Sequence, residues 1–432
     1  MPDLPAEETP EPGTGPGPDP GSGFDPDPGR DRDPGPGPGR ERDRASDRGP
    51  GPDRASDRAS DRVFDRGPGP GPGFESGEGA RLAGILAAAV PRVCSAAVAA
   101  IAVGGVTVAV AAVGEAVRYS SASEELAGDR PPVLHDSIFD LASITKLFTT
   151  AVVLSLAEDG LLGLDEPVAA WLPGCYGGAP EVTLRHLLTH TAGLPPGRRA
   201  HEEVPGDGPE IRATRMERIL STAPVGPAGE RYLYSDVGLI TAGRVAEIAG
   251  RASLDELVRA RVAGPLGLPD TGYRPAASLL PRIVATEHKP ERPGPGCVRG
   301  EVHDETAHGL GGVAGHAGIF STAADLVRFA EALRTGGAPV LGPGAAAEIT
   351  RDHGVRGADF RHGLGVRIGD PAIVGPLADA YGHSGFTGTS LVVDPGRALT
   401  VVLLTNNVHP LRGRAGIRDL RHAVAAEALR LS

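Results

Sequence analysis

A chain of 432 residues with 63 glycines and 42 prolines has room for two or three domains, but much of its Gly and Pro lies before residue 79. The remaining ~350 residues are ample to bury a large core. A net charge of −12, with no basic cluster in the globular part, excludes the concentrated Lys and Arg that phosphate binding needs, so nucleic acid is not an expected partner.

Residues 1–78 form a low-complexity arm of Gly-Pro and Asp-Arg units, with ASDR at 45, 55 and 59. So few apolar groups cannot offset the entropy of ordering, and the arm is expected to be disordered. Its opening, MPDLPAEETPEPG, lacks the basic and apolar regions of a secretory signal, which points to a cytoplasmic location. Residues 79–432 are expected to form one globular domain. A helix is predicted over 80–90. The uncharged run 93–114, VCSAAVAAIAVGGVTVAVAAVG, has the length of a membrane span, but it is built from Ala, Gly and Val with Gly104-Gly105 at its centre. Two strands joined by a tight turn are the preferred reading.

A loop to about 137 leads to a helix over 143–158 with Gly160 as its stop. Thr183 caps a helix running to about 190, and further helices are predicted at 209–222, 235–249, 253–263, 322–335 and 416–430. The spacing of Thr322 and Asp325 suits a capping box. Strands are predicted at 364–369, 378–383, 387–394 and 399–405, the last two joined by the turn DPGR. Helices between an early hairpin and a late run of strands imply one sheet drawing on both ends of the chain, with the middle helices as a second lobe. The three cysteines, Cys94, Cys175 and Cys297, are widely spaced and read as small buried residues.

Arginine supplies nearly all of the 43 basic residues; the lysines are Lys146 and Lys289. Lys146 stands three residues after Ser143 at the start of an apolar helix, so the two side chains share a face within hydrogen-bond reach. A serine hydroxyl attacks well only when a base removes its proton, and an amine in a partly dry site can have its pKa lowered enough to do so. Arginine cannot serve in that way. Nearby backbone N–H groups at the helix start could stabilise an oxyanion. In RYLYSDVGLI, Tyr234 precedes a predicted helix and supplies a second proton carrier, followed by Ser235 and Asp236. YGHSGFTGTSLVVDP places His383, Ser384 and Gly385 at a strand end, with the N–H of Phe386 next to them. GGVAGHAGIFSTAADL is a glycine-rich turn entering a helix.

In this order, these segments resemble the S-x-x-K, Y-x-N and K-T-G motifs of the serine β-lactamase and penicillin-binding-protein superfamily. The chain is most similar to the class C β-lactamase-like branch that includes esterases and D-aminopeptidases. FDLASITK, LLTHTAGLP, PAGERYLYSD and GHAGIFSTAADL add to the likeness, which spans about residues 80–430. The resemblance implies an α/β (α+β) fold: an antiparallel β-sheet flanked by helices plus a helical lobe, with the site between them. It implies Ser143 as the acylated nucleophile, Lys146 as its partner, Tyr234 as general base, and the N–H groups of Ser143 and Phe386 as oxyanion hole. Two positions depart from the pattern. Asp236 stands where Y-x-N has its amide, and His383-Ser384-Gly385 stands where K-T-G has its cation. Losing the amide removes a two-way hydrogen-bonding group, and His carries charge only when protonated. The expected function is therefore an esterase-like serine hydrolase acting through an acyl-enzyme, with no cofactor, on a small-molecule ester, amide or β-lactam.

Three alternatives compete. One keeps the machinery and makes the chain a β-lactamase or D-Ala-D-Ala carboxypeptidase. Another is a metallohydrolase using His303, Asp304, His308 and His316, whose spacing matches no helical ligand pair. The third is a non-catalytic binding module, membrane-associated if residues 93–114 insert. The rim of the pocket is expected from the loops at 195–210 and 286–308.

Overall fold

The computed structural model describes residues 77–179, 181–292 and 296–432. The arm therefore lies outside the described residues apart from its last two, which already belong to the helix Gly77–Ala89.

The apolar run after that helix is a hairpin: β1 (Ala96–Val103) and β2 (Val106–Gly114), with Gly104 and Gly105 at φ +60° and +84° making the turn. Such positive φ values suit glycine and match the twist of the flanking strands. Two short strands, β3 (Phe139–Asp140) and β4 (Gly272–Tyr273), pair with β5 (Ile319–Ser321) in a small sheet ordered β3-β5-β4. The main sheet is completed by β6 (Arg361–His362), β7 (Arg367–Ile368), β8 (Tyr381–Ser384), β9 (Ser390–Asp394) and β10 (Leu399–Thr405). Its order is β2-β1-β10-β9-β8-β7-β6, and each described pair is antiparallel. The first and last strands are thus neighbours, Ile101 facing Val401 across the ladder.

Both faces of β1 and β10 are covered. Ala97, Ala99, Ile101, Val401 and Leu403 pack with Leu82, Leu86, Leu420 and Val424, from the helices Gly77–Ala89 and Ile417–Leu431. Val98, Ala100, Val402 and Leu404 face the other way, into a core with Phe148 and Phe329, whose rings stack 4.1 Å apart. A strand buried on both faces has no polar alternation, which is why β1, the first half of this run, is apolar throughout, whereas β2 is the half-buried edge strand. Among the described residues no helix is long and apolar enough to cross a membrane.

The helical lobe forms as the spacing predicts: Leu184–Leu188 capped by Thr183, Pro209–Leu220, Asp236–Gly250, and Leu254–Val258 continuing as a π turn to Ala263. Thr322 caps Ala323–Arg334 by accepting the Asp325 N–H at 3.3 Å. The predicted strands 364–369 and 387–394 are shorter than expected. The first is only Arg367–Ile368, and residues 385–389 form a turn whose hydroxyls bind the segment before Ser143.

Candidate active site

Ser143 lies in a single 3-10 turn, Ala142–Ile144, that feeds the helix Thr145–Glu158. The turn carrying Ser143 is backed by strain: Ala142 has φ +46°, an uncommon conformation for a residue with a Cβ. Lys146, one turn on, is fully buried, and its Nζ donates to Ser143 Oγ at 2.7 Å. From the opposite lobe Tyr234 brings its hydroxyl to 3.0 Å from the same Oγ. The serine oxygen is held between an amine and a phenol contributed by two different helix entrances.

Tyr234 is positioned by its neighbours on the chain. Ser235 caps the helix Asp236–Gly250, and its hydroxyl donates to the Pro195 carbonyl at 2.6 Å. His190 grips both sides of the tyrosine: its carbonyl accepts the Leu233 N–H at 2.8 Å and its Nδ1 accepts the Ser235 N–H at 3.1 Å. The His190 ring lies 4.5 Å from that of Tyr234, and its backbone is itself strained at φ +55°.

Asp236 opens the helix, where a carboxylate complements the dipole, and its Oδ1 pairs with Lys146 Nζ at 2.8 Å. This contact overturns the expectation that a dry setting frees the Lys146 amine to act as a base. Burial does press its pKa down, but the Asp236 charge and then Tyr234 outweigh it and hold the group above its ordinary value. Lys146 is an ammonium, donating to Ser143 Oγ and, at 3.4 Å, to the His316 carbonyl.

His383, on β8, is buried, with Nδ1 2.8 Å from the Ser384 carbonyl. Burial, reinforced by Lys146 and Arg367, keeps it well below the ordinary histidine value, so it is a neutral ring where the resemblance expects a cation. The positive charge nearby is Arg367, on β7 opposite Gly382. Its guanidinium sits 5.3 Å from the centre of the Tyr234 ring and 4.9 Å from that of Phe360, and it pairs with Asp370 at 3.0 Å.

Gly385 is dictated by close approach. A Cβ there would meet Leu141 O at 2.3 Å and Thr389 Oγ1 at 2.2 Å, so only glycine lets the end of β8 lie against the turn that carries Ser143. Phe386 follows, 41 % exposed, its ring 5.7 Å from His303 and 5.5 Å from the Arg412 guanidinium. Ser384 pairs across the ladder with Ser390.

Ser143, Lys146, Tyr234, Asp236 and His383 are therefore one cluster, with Ser384, Gly385 and Phe386 along its edge. Sequence reasoning missed Asp140, His190 and Arg367. The phrases FDLAS and LLTHT contain the first two, but their roles depend on partners far along the chain. The proposed metal ligands disperse instead: His303 Nε2 contacts Glu287 at 2.8 Å, His316 Nε2 contacts Asp304 at 2.9 Å, and His308 reaches Glu301 at 3.4 Å. Among the described residues no three His, Cys, Asp or Glu side chains converge in a way that could hold a metal.

Comparison with known proteins bears on the fold and the family. A protein named as a putative D-alanyl-D-alanine carboxypeptidase, from Salmonella enteritidis PT4, is 30% identical over 306 residues, covering 63% of this chain and 70% of the relative. Among solved structures, EstCE1, a hydrolase with promiscuous acyltransferase activity, superposes with a TM-score of 0.60 at 24% identity, covering 80% of this chain and 98% of EstCE1. A class C beta-lactamase mutant gives 0.64 at 17% identity, covering 83% of this chain and 99% of its own. At such identities the two structures establish the fold. The Beta-lactamase family model matches residues 90–426, and with that match over the main body the chain belongs to the beta-lactamase family, as a serine hydrolase.

Proposed function

We propose that the protein is an esterase-like hydrolase that cleaves small or medium acyl esters through an acyl-enzyme on Ser143. The observation that carries this reading is the Ser143 Oγ held at 2.7 Å from Lys146 Nζ and 3.0 Å from Tyr234. The Tyr234 oxygen, 3.0 Å from Ser143 Oγ, acts as the base in its phenolate form. As Oγ attacks the ester carbonyl carbon, its proton passes to Tyr234 and the carbonyl oxygen becomes an oxyanion, stabilised by the N–H groups of Ser143 and Phe386. Collapse breaks the bond to the alcohol, which leaves with the proton from Tyr234. Water then attacks the acyl carbon, gives a proton to Tyr234, and frees the acid while Ser143 regains its hydrogen. Lys146 remains an ammonium that fixes Oγ and offsets the developing charge.

The choice of ester over β-lactam or D-Ala-D-Ala peptide rests on His383. A neutral, buried ring offers no charge to a substrate carboxylate, whereas a simple ester requires none. The name of the Salmonella relative supports the carboxypeptidase alternative, and one experiment separates the two. The full chain and Ser143→Ala are mixed with p-nitrophenyl butyrate while nitrophenol release and intact mass are followed, with penicillin G and a D-Ala-D-Ala peptide in parallel. A burst with an acyl adduct in the wild type alone supports the reading. Penicillin G or peptide turning over much faster than the ester overturns the substrate preference, and turnover by Ser143→Ala overturns the nucleophile.

A further inference from the structure

Asp140 is a buried carboxyl two residues before the strained Ala142, and three separate segments meet on it. Its Oδ1 accepts the Ala142 N–H at 2.8 Å, bracing the left-handed residue that presents Ser143. Its Oδ2 accepts the His303 N–H at 2.6 Å, anchoring the rim loop whose imidazole lies against Phe386. Its backbone carbonyl accepts Thr387 Oγ1 at 2.8 Å, and the next carbonyl, that of Leu141, accepts Thr389 Oγ1 at 3.0 Å. The turn carrying Phe386 is thereby fastened to the turn carrying Ser143.

The residue type follows from the donors. Both carboxyl oxygens face backbone N–H groups, so both must accept. Asparagine has the same size but one acceptor and one donor, and would set an N–H against an N–H at Ala142 or His303. A carboxylate 2 % exposed is costly to bury, and two N–H bonds that align the site are what it provides in return.

We propose that Asp140 is the positioning residue of this enzyme, fixing the separation between the Ser143 nucleophile and the Phe386 side of the oxyanion hole. The inference rests on the assignment of Ser143 as nucleophile and of the two N–H groups as oxyanion donors. It acts on the geometry of the transition state rather than on substrate binding.

The test uses the full chain with p-nitrophenyl butyrate and its thiono analogue, in which sulfur replaces the carbonyl oxygen and accepts hydrogen bonds poorly. In Asp140→Asn the acylation rate on the ester falls about ten- to hundredfold, toward the loss seen when one oxyanion donor is removed. KM stays within about twofold, and the ratio of ester to thionoester rates drops toward unity. A merely structural role would lower the amount of active protein, reducing both rates equally and leaving the ratio at its wild-type value; that result overturns the proposal. Should Asp140→Asn fail to fold, Thr387→Val, which removes only the hydroxyl bound to the Asp140 carbonyl, is expected to lower the same ratio several-fold, and an unchanged ratio is again refuting. Intact mass separates the two layers of argument. Absence of a Ser143 adduct in the wild type removes the nucleophile assignment and this inference with it, whereas a wild-type adduct rate in Asp140→Asn removes this inference alone.

Discussion

Replacing Asp236 by Asn restores the amide of the family motif and removes the carboxylate that keeps Lys146 charged. At 2.8 Å the pair is worth about 6 kcal/mol at an effective dielectric constant of about 20. The Asp236 side chain is 33% exposed, so solvent screens roughly half of this, leaving about 3 kcal/mol. For a folded unit of ~350 residues the unfolding entropy is about 0.7 kcal/mol/K, so the melting temperature of Asp236→Asn should fall by about 4 °C at neutral pH. The sign of the pH dependence follows from the direction of the Lys146 perturbation. A lysine raised above its unfolded value contributes stability that is fully present below that unfolded value and is lost as pH rises through the folded one. On the alkaline side, the gap between wild type and variant is therefore full at neutral pH and closes above about pH 10. The charge itself can be followed directly. With Lys146 and Lys289 as the chain's lysines, nitrogen-15 labelling of lysine gives two Nζ signals, and Lys289, paired with Glu287 and Glu305, serves as the internal reference. In the wild type Lys146 should remain an ammonium across the neutral range; in Asp236→Asn its transition should move to lower pH while that of Lys289 stays in place. A neutral Lys146 amine in the wild type at neutral pH, or an unmoved transition in the variant, would refute the electrostatic reasoning.

Tyr234→Phe removes the hydroxyl 3.0 Å from Ser143 Oγ and should lower kcat on the ester by about 10²- to 10⁴-fold, with a melting temperature within about 2 °C of wild type; near-normal turnover would show that another group moves the proton. His383→Lys should raise the rate on penicillin G relative to p-nitrophenyl butyrate by supplying the missing cation, while lowering thermal stability by several degrees because the ammonium joins Lys146 and Arg367 in a buried setting. An unchanged rate ratio would show that charge at this position does not set substrate preference.

The parts of the molecule legible in the sequence are those fixed by local physics. Ser143 and Lys146 meet because three residues of helix bring them together, and the hairpin declares itself through Gly104-Gly105 between Ala/Val runs. The state of Lys146 was not legible in that way. Its rarity, as one of two lysines among the arginines, points to a removable proton, yet its charge is decided by Asp236, 90 positions away in the chain and adjacent only after folding. His190 and Arg367 escaped for the same reason: each acts on Tyr234 from a different element. The rim loops carry no readable code because arginines organise them through backbone carbonyls. Arg215 donates to the carbonyls of Val204, Gly206 and Gly309, and Arg292 to those of Val302 and His303. A guanidinium with five donors can gather such carbonyls whatever side chains flank them.

The two departures from the family motifs make physical sense as a pair. In the folded site Lys146 has its carboxylate in Asp236, and Arg367 has its own in Asp370. An amide at 236 would leave a fully buried ammonium without its carboxylate partner. A lysine at 383 would place a further cation beside Lys146 and Arg367, the same two charges that, after burial, press His383 toward neutrality. At the rim, Arg412 is likewise committed, to Glu287 and Glu305. A substrate carboxylate entering this site would have to compete with a protein carboxylate for any of these three cations, at a cost in desolvation. A neutral ester meets no such penalty, because what it asks of the site is a serine oxygen, a proton carrier and two N–H groups. Under the proposed ester preference, the charge pairing that stabilises the buried lysine also disfavours anionic substrates.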